Sequence, residues 1–137
     1  MSQLEFVHSS EAPEPLGHYS QAVFVDSVLY ISGQLPIDPH NPSACFETPE
    51  SQTTQTLKNL EAVLIASGGR KEMIVKVTIY ISDIAIWPQV NSSYAAFFGA
   101  HRPARTAVPV PALPKGLMVE IDAIAHINKL GATDLQS

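Results

Sequence analysis

Arg105 stands in the stretch Pro103-Ala104-Arg105-Thr106-Ala107-Val108, among small and apolar neighbours. A guanidinium cannot shed its charge by deprotonation, so an arginine in such surroundings needs an anion. Its planar fork suits two-point capture of a small carboxylate. Farther along, Val119-Glu120-Ile121-Asp122-Ala123-Ile124-Ala125 alternates as a strand does, with Val119, Ile121, Ala123 and Ala125 on one face and Glu120 and Asp122 on the other. A carboxylate placed this way can orient or deprotonate a water if its pKa suits the task. The same acids also offer a plain structural alternative. If residues 105–110 and 117–126 pair as a hairpin about Leu113-Pro114, Arg105 falls near Asp122 and one strand pair from Glu120, an ordinary cross-strand ion pair. Pro109 and Pro111 each lack a ladder donor and argue against a long hairpin, which leaves an Arg105 that faces a cavity as the competing reading.

Other residues carry weaker signals. Tyr19 lies in the turn Gly17-His18-Tyr19-Ser20-Gln21, where a phenol can line a pocket or simply pack with its hydroxyl satisfied. Ser32-Gly33 closes an apolar strand; the glycine lets a ligand approach the backbone, or marks a turn into Leu35-Pro36. Asn91 reads as an exposed helical amide. The five histidines are dispersed, with no His-x-x-x-His and no Cys-His cluster, so a metal site has no support. Cys45 has no neighbouring base, and Ser20 and Ser32 lack the strained elbow of a serine nucleophile.

These residues must be positioned by one domain, because 137 residues leave no room for a second core of ordinary size. Leu4 to His8 reads as a short strand and Ser9 to Leu16 as an irregular solvent-facing connector. Gln21–Val25 and Val28–Ser32 flank Asp26-Ser27 as a hairpin. Thr48-Pro49 opens a helix as cap and first residue; Leu57, Leu60, Val63 and Leu64 form its stripe, and Gly68-Gly69 ends it. Met73 to Ser82 is a β-branched strand. Asp83 begins a second helix with Pro88 in its first turn and Val90, Tyr94, Phe97 and Phe98 on its apolar side, stopped by Gly99. Two helices beside about six strands predict an α+β single sheet with both helices on one face. The composition is 45% hydrophobic and 15% charged, so the other face is expected to be covered by identical subunits. Residues 128–137 read as a polar, poorly ordered tail.

A net charge of −5, with eight scattered Lys and Arg, supplies no electrostatic footprint for nucleic acid. One cysteine suits a reducing compartment, no run is long enough for a membrane span, and Met1 to Glu5 lacks the basic and apolar regions of a secretion signal. The expected address is the cytoplasm.

The chain resembles the Rid (YjgF/YER057c/UK114) family of enamine and imine deaminases. The resemblance rests on Pro103-Ala104-Arg105, Leu113-Pro114-Lys115 and Val119-Glu120-Ile121, and upstream on Gly17-His18-Tyr19-Ser20-Gln21-Ala22 and Tyr30-Ile31-Ser32-Gly33-Gln34-Leu35-Pro36. It implies a chorismate mutase-like (YjgF) fold in a homotrimer about a central barrel, with sites at subunit interfaces. It also implies RidA-like 2-iminobutanoate/2-iminopropanoate deaminase activity as metabolite damage control, without a cofactor. Residue by residue, it makes Arg105 the substrate's carboxylate anchor and Glu120 the residue that positions the attacking water. Tyr19, Ser32, Gly33 and Asn91 become substrate-site residues, and Asp122 stays structural. Thr106 and Ala107 replace the usual small residue and Cys after the arginine, His18 replaces a frequent Pro, and the 99–102 connector is shorter than in many members; these departures bear on the substrate. The alternatives are a Rid-fold module that binds small carboxylates or a protein partner without turnover, and, less favoured by the acidic charge, an endoribonuclease.

Overall fold

The computed structural model describes residues 3–128; the tail expected from 129 onward and the first two residues lie outside the described residues. Six strands make one mixed sheet: β1 (Glu5–Val7), β2 (Ala22–Val25), β3 (Val28–Gln34), β4 (Ile74–Ile81), β5 (Ala104–Pro109) and β6 (Val119–His126). Two helices, α1 (Pro49–Ala66) and α2 (Trp87–Phe98), complete it. The strand order is β1-β2-β3-β6-β4-β5, with β4 and β5 parallel and every other neighbour antiparallel.

Local chemistry explains the elements. Asp26 and Ser27 both take positive φ, 50° and 67°, as a tight hairpin turn matched to strand twist requires. Thr48 accepts the Ser51 amide at 3.0 Å while the Ser51 hydroxyl accepts from the Thr48 amide at 3.2 Å, a reciprocal cap ahead of Pro49. Gly68, at φ 86°, follows the end of α1. The second helix starts later than expected: Asp83 caps a short 3-10 turn over Ile84–Ile86, and α2 begins at Trp87. The connector after β1 is irregular but not uniformly solvent-facing. Buried Gln21 reaches across to the Ser9 amide and the carbonyls of Ser9, Ala12 and Pro13, so Ser9 and Ala12 are buried.

The hairpin of β5 with β6 does not form. Strand β6 is inserted between β3 and β4, and β5 runs parallel to β4 at the sheet edge, after a crossover through α2. Pro109 is tolerated there because an edge strand has one unpaired side. Core packing uses one face only. Leu57, Leu60, Val63 and Leu64 of α1 and Val90, Tyr94 and Phe98 of α2 share a core cluster with Leu29, Ile31, Val77, Ile79, Ile121 and Ala123. The opposite face carries a register row of Phe6, Val23, Tyr30 and Ile124, of which Phe6 is 70% and Tyr30 49% exposed.

Candidate active site

Register decides where the two charged candidates point. Arg105 pairs with Val77, which is buried beneath the helices, whereas Glu120 pairs with Tyr80, three residues on along β4 and therefore on the other face. Within one chain, Arg105 and Glu120 stand on opposite sides of the sheet.

Arg105 lies against α2. Its Nη1 donates to Asn91 Oδ1 at 2.7 Å, and its guanidinium carbon sits 4.8 Å from the Trp87 ring and 4.9 Å from the Tyr94 ring. Trp87, Asn91 and Tyr94 fall at i, i+4 and i+7, one stripe of the helix, so the helical repeat builds an aromatic and amide cradle for the cation. The cross-strand ion pair with Asp122 or Glu120 is absent: the three ion pairs among the described residues are His8–Glu14, His40–Glu11 and Arg70–Glu72. Nor is Arg105 buried; it is exposed and lines an open cavity of about 490 Å³ with Asn91, Tyr94, Phe98 and Arg102.

Glu120 belongs to a second cavity, also about 490 Å³, lined by Leu16, Tyr19, Ser32, Gly33, Leu35 and Pro114. The register shifts between Ile31 and Gln34, which takes Ser32 and Gly33 out of the ladder with β6 and lets the Glu120 carboxylate lie against Gly33. A Cβ built on Gly33 would overlap Glu120 Oε2 and stand 3.0 Å from Cδ, so this approach requires glycine. Burial, and secondarily the charge of Asp122, raises the Glu120 pKa above the ordinary value. The Tyr80 hydroxyl donates to Asp122 Oδ2 at 3.1 Å, and burial followed by Asp122 raises its own pKa. Asp122 thus has an internal partner, Tyr80, beside Glu120.

The loop residues are fixed from behind. Ser32 Oγ donates to the Ser20 carbonyl at 2.7 Å and Ser32 N to the Gln21 carbonyl at 2.9 Å, which ties the Tyr19 turn to β3. The Tyr19 hydroxyl accepts the Leu16 amide at 3.1 Å, and the residue remains 48% exposed. Two supports escaped sequence reasoning. Buried Gln52 accepts the Met118 amide at 2.8 Å, two residues before Glu120, and donates to the Phe46 carbonyl at 2.9 Å. Asn59, with no exposed surface, donates to the carbonyls of Leu35 and Ile37. A polar residue within the leucine stripe of α1 was the available signal, since a buried amide must find partners.

Of the six residues expected at the site, Tyr19, Ser32, Gly33 and Glu120 therefore share one cavity, and Asn91 and Arg105 share another. A mixed sheet with helices on one face and two open cavities defines a small α+β protein with an exposed arginine and a half-buried carboxylate on separate surfaces. The family profile described as Endoribonuclease L-PSP matches residues 9–127, and the chain belongs to this family, the Rid (YjgF) family. It is 41% identical to a RutC family protein of Pyrococcus horikoshii over 89% of this chain and 97% of the relative. It is also 41% identical to the 2-iminobutanoate/2-iminopropanoate deaminase of Rattus norvegicus, over 87% of each. The solved structure of the Rid family protein YyfA from Yersinia pestis superposes with a TM-score of 0.88 at 44% identity, covering 91% of this chain and all 100% of that one.

Proposed function

We propose that the chain hydrolyses reactive enamines and imines of small 2-amino acids, 2-aminoacrylate and its 2-iminopropanoate and 2-iminobutanoate tautomers and homologues, to 2-keto acids and ammonia. The observation that carries this is the guanidinium of Arg105, held open by Asn91, Trp87 and Tyr94 with no carboxylate on it among the described residues. Arg105 grips the substrate carboxylate through two parallel N–H donors and fixes the imine carbon. Glu120 accepts a proton from water as the oxygen adds to C2 and the C=N electron pair moves to nitrogen; it then returns that proton to the nitrogen, giving the carbinolamine. The carbinolamine's hydroxyl proton passes to the nitrogen by the same carboxylate as the C–N bond breaks, so that ammonia leaves and the C2 carbonyl of the 2-keto acid forms. The raised pKa of Glu120 makes it a better base once deprotonated, and no cofactor is required because an imine carbon is already electrophilic.

Since one chain sends Arg105 and Glu120 to opposite faces, the working site is composed of Arg105 and Asn91 from one copy and Glu120, Gly33, Ser32 and Tyr19 from another. The row of Phe6, Val23, Tyr30 and Ile124 on the helix-free face supplies apolar surface for a homotrimer built around a central barrel. The endoribonuclease reading suggested by the family's description gains nothing from a chain of net charge −5. The test is ammonia or keto-acid release from freshly generated 2-aminoacrylate. Wild type should exceed buffer, and Arg105→Ala and Glu120→Ala should fall to it; equal rates in all four samples would remove the catalytic reading and leave a carboxylate-binding module.

A further inference from the structure

The cavity beside Arg105 continues along the 99–103 connector, where its wall includes Phe98, His101 and Arg102 as well as Asn91, Tyr94 and Arg105. The chain carries thirteen acidic and eight basic Lys and Arg residues, yet among the described residues no Asp or Glu lines this cavity and both permanent charges on its wall are positive. His101 is already engaged, its Nε2 on the Ile74 carbonyl at 2.8 Å and its ring against Phe98. Arg102 is exposed and makes no ion pair among the described residues. The wall also contains Tyr94, 6% exposed, whose hydroxyl has no hydrogen-bond partner among the described residues. Two uncompensated guanidiniums on one cavity repel each other until an anion sits between them.

Arg102 and Arg105 line one cavity from positions three residues apart, with Cα atoms at most about 10 Å from each other, so one small molecule can span them. A small dicarboxylate offers a charge to each guanidinium; a monocarboxylate leaves one of the two unmet. We propose that Arg102 forms a second carboxylate subsite and that the preferred substrates are 2-imino dicarboxylates, one acid end on Arg105 and the other on Arg102. The proposal deepens the deaminase reading and rests on it for the word substrate, but the subsite itself is tested by binding alone.

The experiment is calorimetric titration of the full chain at low salt with 2-oxoglutarate and with 2-oxohexanoate, a ligand of similar size lacking the second charge, for wild type, Arg102→Gln and Arg102→Lys. Wild type should bind 2-oxoglutarate about fivefold to tenfold more tightly, Arg102→Gln should abolish that preference, and Arg102→Lys should retain part of it. Equal affinities in wild type, no binding of either ligand, or a preference that survives Arg102→Gln would overturn the subsite. If the preference is present but no imine is hydrolysed, the subsite stands and the deaminase reading falls; if imines are hydrolysed without any preference, the reverse holds.

Discussion

Replacing Gly33 by alanine separates folding from chemistry. The added Cβ would overlap Glu120 Oε2 and lie 3.0 Å from Cδ and 3.2 Å from Cγ, whereas ordinary contact begins at 3.4 Å. The backbone of Gly33 does not need positive φ, so no backbone strain enters, and the obstructed atoms are the far end of a flexible side chain. Glu120 can escape by rotating away, at about 0.5–1.5 kcal/mol for a poorer rotamer. The carboxylate must then move by roughly an ångström, and a displacement of that size at a reacting group costs about 100-fold in rate. Gly33→Ala should therefore lose little stability in urea unfolding while kcat/KM for 2-iminopropanoate falls by about two orders of magnitude. Full activity in Gly33→Ala would refute the placement of Glu120 at the reacting water, and a stability loss above about 3 kcal/mol would refute the claim that only a side-chain tip is in the way.

Gln52→Leu keeps the volume but leaves the part-buried Met118 amide and Phe46 carbonyl without partners, at the low end of about 1–3 kcal/mol for each, and urea unfolding should show a loss of about 2–3 kcal/mol. The lower limb of kcat/KM against pH should have its midpoint above the ordinary glutamate value, because Glu120 acts deprotonated and its pKa is raised. Asp122→Asn removes the second cause of that rise and should move the limb to lower pH. The linked stability effect has a definite sign: the folded chain holds the Glu120 proton to higher pH than the unfolded chain, so stability declines as pH rises from the unfolded pKa through the folded one and is flat above it. Glu120→Gln should accordingly be more stable than wild type at neutral pH, with the difference vanishing below the unfolded pKa, as read from melting curves at several pH values.

Local chemistry was legible where it is self-contained. Asp26-Ser27 between two apolar runs gives a hairpin, and Thr48-Pro49 before a leucine stripe gives a capped helix, because each depends on contacts within a few residues. The start of α2 was missed because Asp83 caps the preceding 3-10 turn with the same side-chain acceptor that would cap an α-helix. The partner of β5 was not legible at all. Nearness in sequence favoured β6, but the crossover through α2 sets β5 beside β4, and nothing in residues 103–126 encodes that β6 will fill the gap between β3 and β4. The candidate site residues were picked out by motifs, yet their distribution over two faces follows from register, which is fixed by long-range pairing. Trp87, Asn91 and Tyr94 stand at helical spacing in the sequence, but only the position of β5 shows that they hold Arg105.

The proposed division of the site between copies is tested most directly by mixing two variant chains. Arg105→Ala retains Glu120 and Glu120→Ala retains Arg105, so co-refolding them in equal amounts reunites one intact arginine and one intact glutamate at about a quarter of the interfaces in a closed symmetric assembly. Ammonia release from 2-aminoacrylate should recover to about that fraction of the wild-type rate, while each variant refolded alone stays at buffer level. A mixture no more active than its parents would contradict a site divided between copies.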